Sequence, residues 1–221
     1  AEEGGGGKVY MTRAGLFDDL DAVLHWHPGA ANGASAGASL ANKSAKFRFY
    51  GVSAHAAGAP ERGRSALDGV EAMNAMVNLM REHVKPTARI HYVITEGGDA
   101  PNVVPEHAKV WYYVRDLNRE SVERYYDRIL KIAEGAALAT GTTHEVSLIT
   151  GVHECLENRP LQEAVQANLE LVGGPEFTDD IKEHSAMIKR MRPQRSTHLY
   201  DALVESFEKL APVQDPMIGI C

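Results

Sequence analysis

The pattern of apolar and polar residues changes its period several times between residues 45 and 153. Segments that alternate with a period of two, or are rich in β-branched and aromatic residues, predict four strands at residues 46–52, 88–95, 108–116 and 143–150. Apolar residues that recur every three or four positions predict helices over 64–83 and 118–139, the second capped by Asn118 and Gly141. The order β-α-β-β-α-β predicts a ferredoxin-like α+β fold, with two helices on one face of a four-stranded antiparallel sheet.

The strand over residues 88–95 has mixed polar and apolar faces. Such a strand is typical of a sheet edge that pairs with another subunit. The helix over 64–83 carries a methionine-rich stripe, which is usually core or a dimer contact. We therefore predict a homodimer in which this strand and this helix meet their copies across a two-fold axis.

The segments on either side of this fold have a different composition. Residues 29–44 are small and polar, which is typical of a linker, and we place a domain boundary at residue 44. After residue 155, helices are predicted at 161–172, 178–191 and 198–210. The chain begins AEEGGGGK, without an initiating methionine, and we expect it to be a fragment of a longer protein.

Composition and charge exclude several classes of function. The chain has 23 Lys and Arg residues against 30 Asp and Glu residues, a formal net charge of −7, which argues against a nucleic-acid partner. No apolar run reaches the roughly 18 residues of a membrane span, so no membrane association is expected. The two cysteines, Cys155 and Cys221, form no disulfide framework, and there is no signal peptide pattern. A cytoplasmic protein is predicted.

Two groups of residues near the start have the chemistry of a metal site. Glu2 and Glu3 precede a run of four glycines, and adjacent acids at a turn can serve as metal ligand and general base. The alternative is an exposed acidic end. His25 and His27 would share one face of a strand and could bind one metal ion. The alternative is a pair of histidines that bind no metal.

Three polar residues lie at the ends of the predicted elements. His55 lies in a loop of small residues, which leaves room for a ligand, although a loop histidine without a role is the alternative. Asn102 lies in a loop with two glycines and two prolines, and Arg115 ends the third strand. These three are candidates for substrate binding.

Taken together, these residues resemble the M20 metallopeptidases, in the amidohydrolase branch that acts on aminobenzoyl-glutamate. The resemblance covers residues 1 to about 172. Four motifs carry it. The first two are the Glu-Glu pair before a glycine turn at residues 1–8 and the histidine segment ending in His-Pro at residues 20–28. The others are the His55 loop at residues 51–60 and an arginine, Arg115, thirteen residues after Asn102.

The resemblance implies an α/β hydrolase of two domains, a catalytic domain and an inserted ferredoxin-like lid that dimerises. Residues 1–44 and 156–221 would then be parts of the catalytic domain, and residues 45–155 the lid. Two divalent ions, Zn or Mn, are expected in the complete family site, where Glu2 resembles the general base and Glu3 and His27 resemble metal ligands. Too few ligands are carried over, so we expect this chain alone to hold metal weakly or not at all and to be inactive.

In the lid, His55 resembles the histidine that reaches the partner subunit's site and stabilises the oxyanion. Asn102 and Arg115 resemble the clamp for the substrate's carboxylate. The implied function is hydrolysis of a small-molecule amide, an N-acyl or aminobenzoyl-glutamate. The alternative is a stand-alone ferredoxin-like dimerisation or ligand-binding module without catalysis. The number of bound metal ions would separate the two.

Overall fold

The computed structural model describes residues 6–26, 33–35, 39–173, 179, 183 and 217–219. The chain forms two compact units, one of residues 1–18 with 39–155 and one of residues 19–38 with 156–221. In the part of the chain that the structure describes, no helix is long and apolar enough to cross a membrane.

The first unit contains the predicted ferredoxin-like fold. Its elements, in chain order, are α1 Gly7–Arg13, β2 Ala41–Tyr50, α2 Ala66–Met80, β3 Arg89–Glu96, β4 His107–Asp116, α3 Arg119–Thr140 and β5 Thr143–Val152. The four strands are antiparallel neighbours in the order β3-β4-β2-β5. The prediction of a β-α-β-β-α-β fold is confirmed, and β3 lies at an edge of the sheet as predicted. Helix α1 was not predicted.

Strand β2 begins earlier than its composition indicated. The prediction of a linker through residue 44 is wrong for residues 41–44, which pair along β4 from Asp116 to Tyr113. Ala41 and Ser44 are fully buried in this pairing. Small residues are common in linkers, but here they fit a crowded position between two neighbouring strands.

Both helices cover the same face of the sheet. Core residues from α2, among them Val70, Met73 and Val77, are fully buried, as are Phe47 and Phe49 of β2. Met73, part of the methionine-rich stripe of this helix, therefore belongs to the hydrophobic core. Burial of each such side chain contributes about 1.5–3 kcal/mol to folding.

The ends of the helices have the predicted caps. The Asn118 Oδ1 accepts a hydrogen bond from the Ser121 N–H at 2.9 Å, which begins α3. Gly141 ends α3 with φ +65°, a conformation that glycine adopts without strain. Both caps confirm the sequence analysis.

A polar network lies between β2 and α3. The Glu123 carboxylate accepts hydrogen bonds from the Lys43 ammonium and the Arg119 guanidinium. Burial raises the pKa of Glu123, but these two cations hold it below its usual value. A carboxyl whose folded pKa is depressed stabilises the fold above its unfolded pKa of about 4.3 and loses that contribution as pH falls through the folded value.

We expect Glu123→Gln to be less stable than wild type near neutral pH and to lose less stability on acidification below about pH 4.5. Urea unfolding followed at a series of pH values measures this. Glu134→Gln, on an exposed position of the same helix, is the matched control and should follow wild type. An equal loss of stability in Glu123→Gln and wild type on acidification would contradict the assignment.

In the second unit, β1 (Gly33–Ser35) and β6 (Met217–Gly219) pair in parallel, and α4 (Arg159–Val172) is joined to β1. The Ala34 N–H donates to Gln166 Oε1 at 3.0 Å, and Gln162 Nε2 donates to the Ala34 carbonyl at 2.9 Å. The predicted helix at 161–172 is confirmed. Of the one predicted at 178–191 only residues 179 and 183 are described, both helical, and the one at 198–210 lies outside the described residues.

Candidate functional site

The loop that carries His55 leaves the end of β2 and is closed at its base by backbone hydrogen bonds. The Gly51 N–H donates to the Glu106 carbonyl at 2.8 Å. Val52 and Arg64 exchange two bonds, of 2.8 and 2.9 Å. The loop therefore begins and ends at one fixed point of the fold, which holds the histidine in place.

The loop after β3 runs beside the His55 loop. The Ala56 N–H donates to the Asn102 carbonyl and the Val104 N–H to the Ala54 carbonyl, both at 3.0 Å. His55 and Val103 form an antiparallel bridge between these bonds. The structure thus brings His55 and Asn102 together, and both side chains are exposed.

Hydrogen bonds inside the loop select the tautomer of His55. Its Nδ1 accepts from the Gly58 N–H at 2.9 Å and from the Ala57 N–H at 3.2 Å. A neutral imidazole has one acceptor nitrogen and one N–H donor, so the proton is on Nε2. His55 therefore offers an exposed N–H donor, which is what a negatively charged ligand atom would bind.

Arg115 lies at the opposite end of the sheet. Tyr50 pairs with His107 at the end of β2 that carries the His55 loop, whereas Asn42 pairs with Arg115 at the other end. Eight residues of β4 between positions 107 and 115 span about 26 Å. Within one chain, Arg115 and Asn102 are therefore too far apart to hold the same small carboxylate.

Arg115 belongs to a row of aromatic and cationic side chains on the face without helices. Its Cζ lies 4.9 Å from the ring centroid of Tyr113, and the ring centroids of Tyr113 and Trp111 are 5.5 Å apart. The Lys46 Nζ lies 4.8 Å from the Trp111 ring. These rings were not predicted to be site residues, although a period-two aromatic pair followed by an arginine is visible in the sequence.

The two ends of β3 differ in charge. A cavity of about 340 Å³ at its start is lined by cationic groups, among them Arg81, Lys85 and Arg89. A cavity of about 540 Å³ at its end, beside the His55 loop, is lined by Glu96, Asp99 and Glu106 together with other residues. The hydrogen bond from Lys109 holds the pKa of Glu96 below its usual value.

The residues predicted to belong to a metal site are not described by the structure. Glu2, Glu3 and His27 lie outside the described residues. The strand predicted to present His25 and His27 on one face is absent over the described residues 20–26, and the His25 Nδ1 lies 3.3 Å from the Trp26 carbonyl oxygen. Among the described residues, no group of three or more His, Cys, Asp or Glu lies close enough to hold a metal ion.

Comparison with known proteins identifies the class of this fold. Residues 41–141 match the family model of the M20 peptidase dimerisation domain. The chain is 47% identical over 180 residues to one of the subunits of p-aminobenzoyl-glutamate hydrolase from Escherichia coli K12. With these matches, residues 41–141 are identified as a dimerisation domain of the M20 peptidase family.

The relatives are longer than this chain. The alignment with the Escherichia coli protein covers 81% of this chain and 37% of that protein. A human Xaa-Arg dipeptidase is 32% identical over 183 residues, covering 81% of this chain and 41% of its own length. The chain thus spans less than half the length of these curated relatives.

A solved structure shares the fold. An aminobenzoyl-glutamate utilization protein from Klebsiella pneumoniae matches with a TM-score of 0.55 at 20% identity. The match covers 91% of this chain and 56% of that chain.

Proposed function

We propose that the chain is the lid-bearing part of a metal-dependent amidohydrolase that cleaves the amide bond of an N-acyl or aminobenzoyl-glutamate. The observation that carries this proposal is the 47% identity to a p-aminobenzoyl-glutamate hydrolase polypeptide over 81% of the chain. An exposed N–H donor at His55 and an exposed guanidinium at Arg115 are the two groups that such a substrate needs, one for its carbonyl oxygen and one for its carboxylate.

The metal part of the proposal rests on the resemblance of the start of the chain. Glu3 and His27 would hold the metal, and Glu2 would act as general base. A Zn or Mn ion held there would supply Lewis-acid chemistry and would lower the pKa of water, so that Glu2 could remove its proton near neutral pH. This chain carries few of the ligands that a dinuclear site requires.

His55 would act on the carbonyl of the scissile amide. As the amide is attacked, negative charge develops on its oxygen, and a fixed N–H donor stabilises that charge. Because Nδ1 is occupied by two backbone N–H groups, the ring is already oriented with Nε2–H outward. No reorganisation of the ring is then needed during the reaction.

A homodimer through β3 would join the two distant parts of the site. If β3 pairs antiparallel with its copy, a two-fold axis perpendicular to the sheet sets the Arg115 end of one protomer next to the His55 end of the other. The lateral distance from β4 to β4 of the partner protomer is then three strand spacings, about 14 Å, instead of about 26 Å along one strand. A side chain and a small substrate can bridge the shorter distance.

The edge of β3 supports this pairing in two ways. Tyr92, Val93 and Ile94 are 37, 53 and 40% exposed, although all three are large and apolar. The cationic cavity at the start of β3 would also lie beside the acidic cavity at the end of the partner's strand. Such charge complementarity fixes the register of an isologous contact.

The proposal is tested with the polypeptide that contains this chain and a complete catalytic domain. We expect it to release p-aminobenzoate from p-aminobenzoyl-glutamate with Zn²⁺ or Mn²⁺, and to lose this activity on dialysis against a chelator and regain it on metal addition. Chromatography of the product measures release. Undiminished release after removal of metal would overturn the metal-dependent mechanism, and no release in any metal would overturn the substrate.

The second candidate is a dimerisation or ligand-binding module without catalysis. It is favoured by the family match, which covers residues 41–141 and describes a dimerisation domain. The two candidates differ in metal content, which the same metal-loaded preparation reports. The enzyme should hold two ions per chain, and the module none.

A further inference from the structure

We infer that Tyr113, with Trp111 beside it, binds the aromatic acyl group of the substrate whose carboxylate Arg115 holds, which makes N-aroyl amino acids the preferred substrate class. This inference rests on the proposed function and adds a specificity-determining residue to it. It concerns the face of the sheet that α2 and α3 leave uncovered in the first unit.

Strand geometry places the side chains of Trp111, Tyr113 and Arg115 in one row. Residues 111, 113 and 115 of β4 point to the same face because side chains alternate along a strand. Val110, Tyr112 and Val114, on the other face, are fully buried under the helices or nearly so. The row is continuous, since the Trp111 and Tyr113 ring centroids are 5.5 Å apart and the Arg115 Cζ is 4.9 Å from the Tyr113 ring.

Charge selects what this row can bind. The aromatic pair lies between two cations, Arg115 at one end and Lys46 over the Trp111 ring at the other. A guanidinium binds carboxylates with its edge and stacks on rings with its plane, and an ammonium also favours a ring face. A ligand that combines an aromatic ring with a carboxylate can therefore bind both the aromatic pair and the arginine. A ligand with a small aliphatic acyl group can bind only the arginine, through its carboxylate.

The spacing also fits such a ligand. Residues 113 and 115 are two strand residues apart, about 6.6 Å. In an N-aroyl amino acid, the carboxylate carbon and the ring centre are separated by four bonds and a ring radius, about 6 Å when extended. With the carboxylate on Arg115, the ring thus reaches Tyr113.

Trp111 is less suitable than Tyr113 as a test position. Its Nε1 donates to the Ser44 Oγ at 2.7 Å, so its replacement would also disturb the contact between β2 and β4. Tyr113 is half-buried and outside the hydrophobic core. The test therefore changes Tyr113 and uses Trp111 as a reporter of position.

The experiment measures binding of N-benzoyl-L-glutamate and N-acetyl-L-glutamate to the 221-residue chain by calorimetry. We expect the benzoyl compound to bind about five- to tenfold more tightly than the acetyl compound. Tyr113→Leu should remove this ratio, and Tyr113→Phe should keep it. Tyr10→Leu, an exposed tyrosine of α1, is the matched control and should keep it as well.

Fluorescence locates the bound ring. The chain has two tryptophans, so Trp26→Phe leaves Trp111 as the single reporter. The benzoyl compound should change the Trp111 emission, and the acetyl compound should not. Equal affinities for the two compounds, or a ratio that survives Tyr113→Leu, would overturn the aromatic site while the arginine clamp stands. If neither compound binds, both the carboxylate site at Arg115 and the aromatic site at Tyr113 would be overturned.

Discussion

In the polypeptide that contains this chain and a complete catalytic domain, His55→Ala and Arg115→Ala should each lower kcat/KM for p-aminobenzoyl-glutamate by about 10²- to 10³-fold. A mixture of the two variants should regain activity. For His55 the loss follows because removal of one fixed donor at a developing oxyanion has an effect of that size. For Arg115 it follows because the substrate loses the charged, bidentate partner of its carboxylate. The recovery follows from the geometry of the proposed dimer. A mixed dimer has one site with both residues intact, contributed by different subunits.

The fraction of wild-type activity that the mixture should regain follows from random subunit exchange. Random mixing makes half of the dimers mixed, and each keeps one of its two sites, so about a quarter of the wild-type activity should return. The variants are mixed under conditions that exchange subunits, and initial rates are compared with those of each variant alone. If both residues of a site came from one chain, the mixture would show no more activity than the single variants.

A third change serves as the control for this test. Val93→Glu introduces a charge at the exposed centre of the β3 edge, where the two copies would pair. In either parent variant it should abolish the recovery without unfolding the protomer, as circular dichroism would show. Recovery that persists in the presence of Val93→Glu would place the dimer contact elsewhere.

Gly51→Ala should destabilise the first unit by about 3 kcal/mol or more, because Gly51 makes the closest approach to backbone atoms among the glycines that the structure describes. A Cβ at this position would overlap the carbonyl oxygen of Arg64 and lie 2.8 Å from the backbone nitrogen of Ala66. Both are backbone atoms, so no side chain can rotate away. The same contacts close the base of the His55 loop, and we expect the loop to lose its position as well.

Urea denaturation measures this change, and Gly135→Ala is its matched control. Gly135 is exposed in the middle of α3, and a Cβ there would meet nothing within 4 Å. Alanine is a better helix former than glycine, so this variant should gain about 0.5–1 kcal/mol. A Gly51→Ala protein as stable as wild type would contradict the close approach of the β2 end to Arg64.

Local periodicity was sufficient to predict the four strands of the large sheet and the helices α2 and α3, but not the short helix α1. Strands and helices there follow hydrophobic patterns of two and 3.6 residues, and Asn118 and Gly141 mark the ends of α3 by local chemistry. Two predictions were wrong where local composition and tertiary contacts disagree. Residues 41–44 are small and polar yet form strand because β4 pairs with them, and residues 20–26 contain an apolar run but form no strand.

The sequence by itself indicated the family and the ferredoxin-like order of elements, because these depend on short patterns and motifs. It also predicted His55, Asn102 and Arg115 as candidates for substrate binding. Only the tertiary structure decided how the residues are grouped. Strand register joins His55 to Asn102 and separates both from Arg115, and register depends on pairings between residues far apart in the chain. The His55 tautomer and the row from Trp111 to Arg115 likewise depend on distances that no sequence pattern contains.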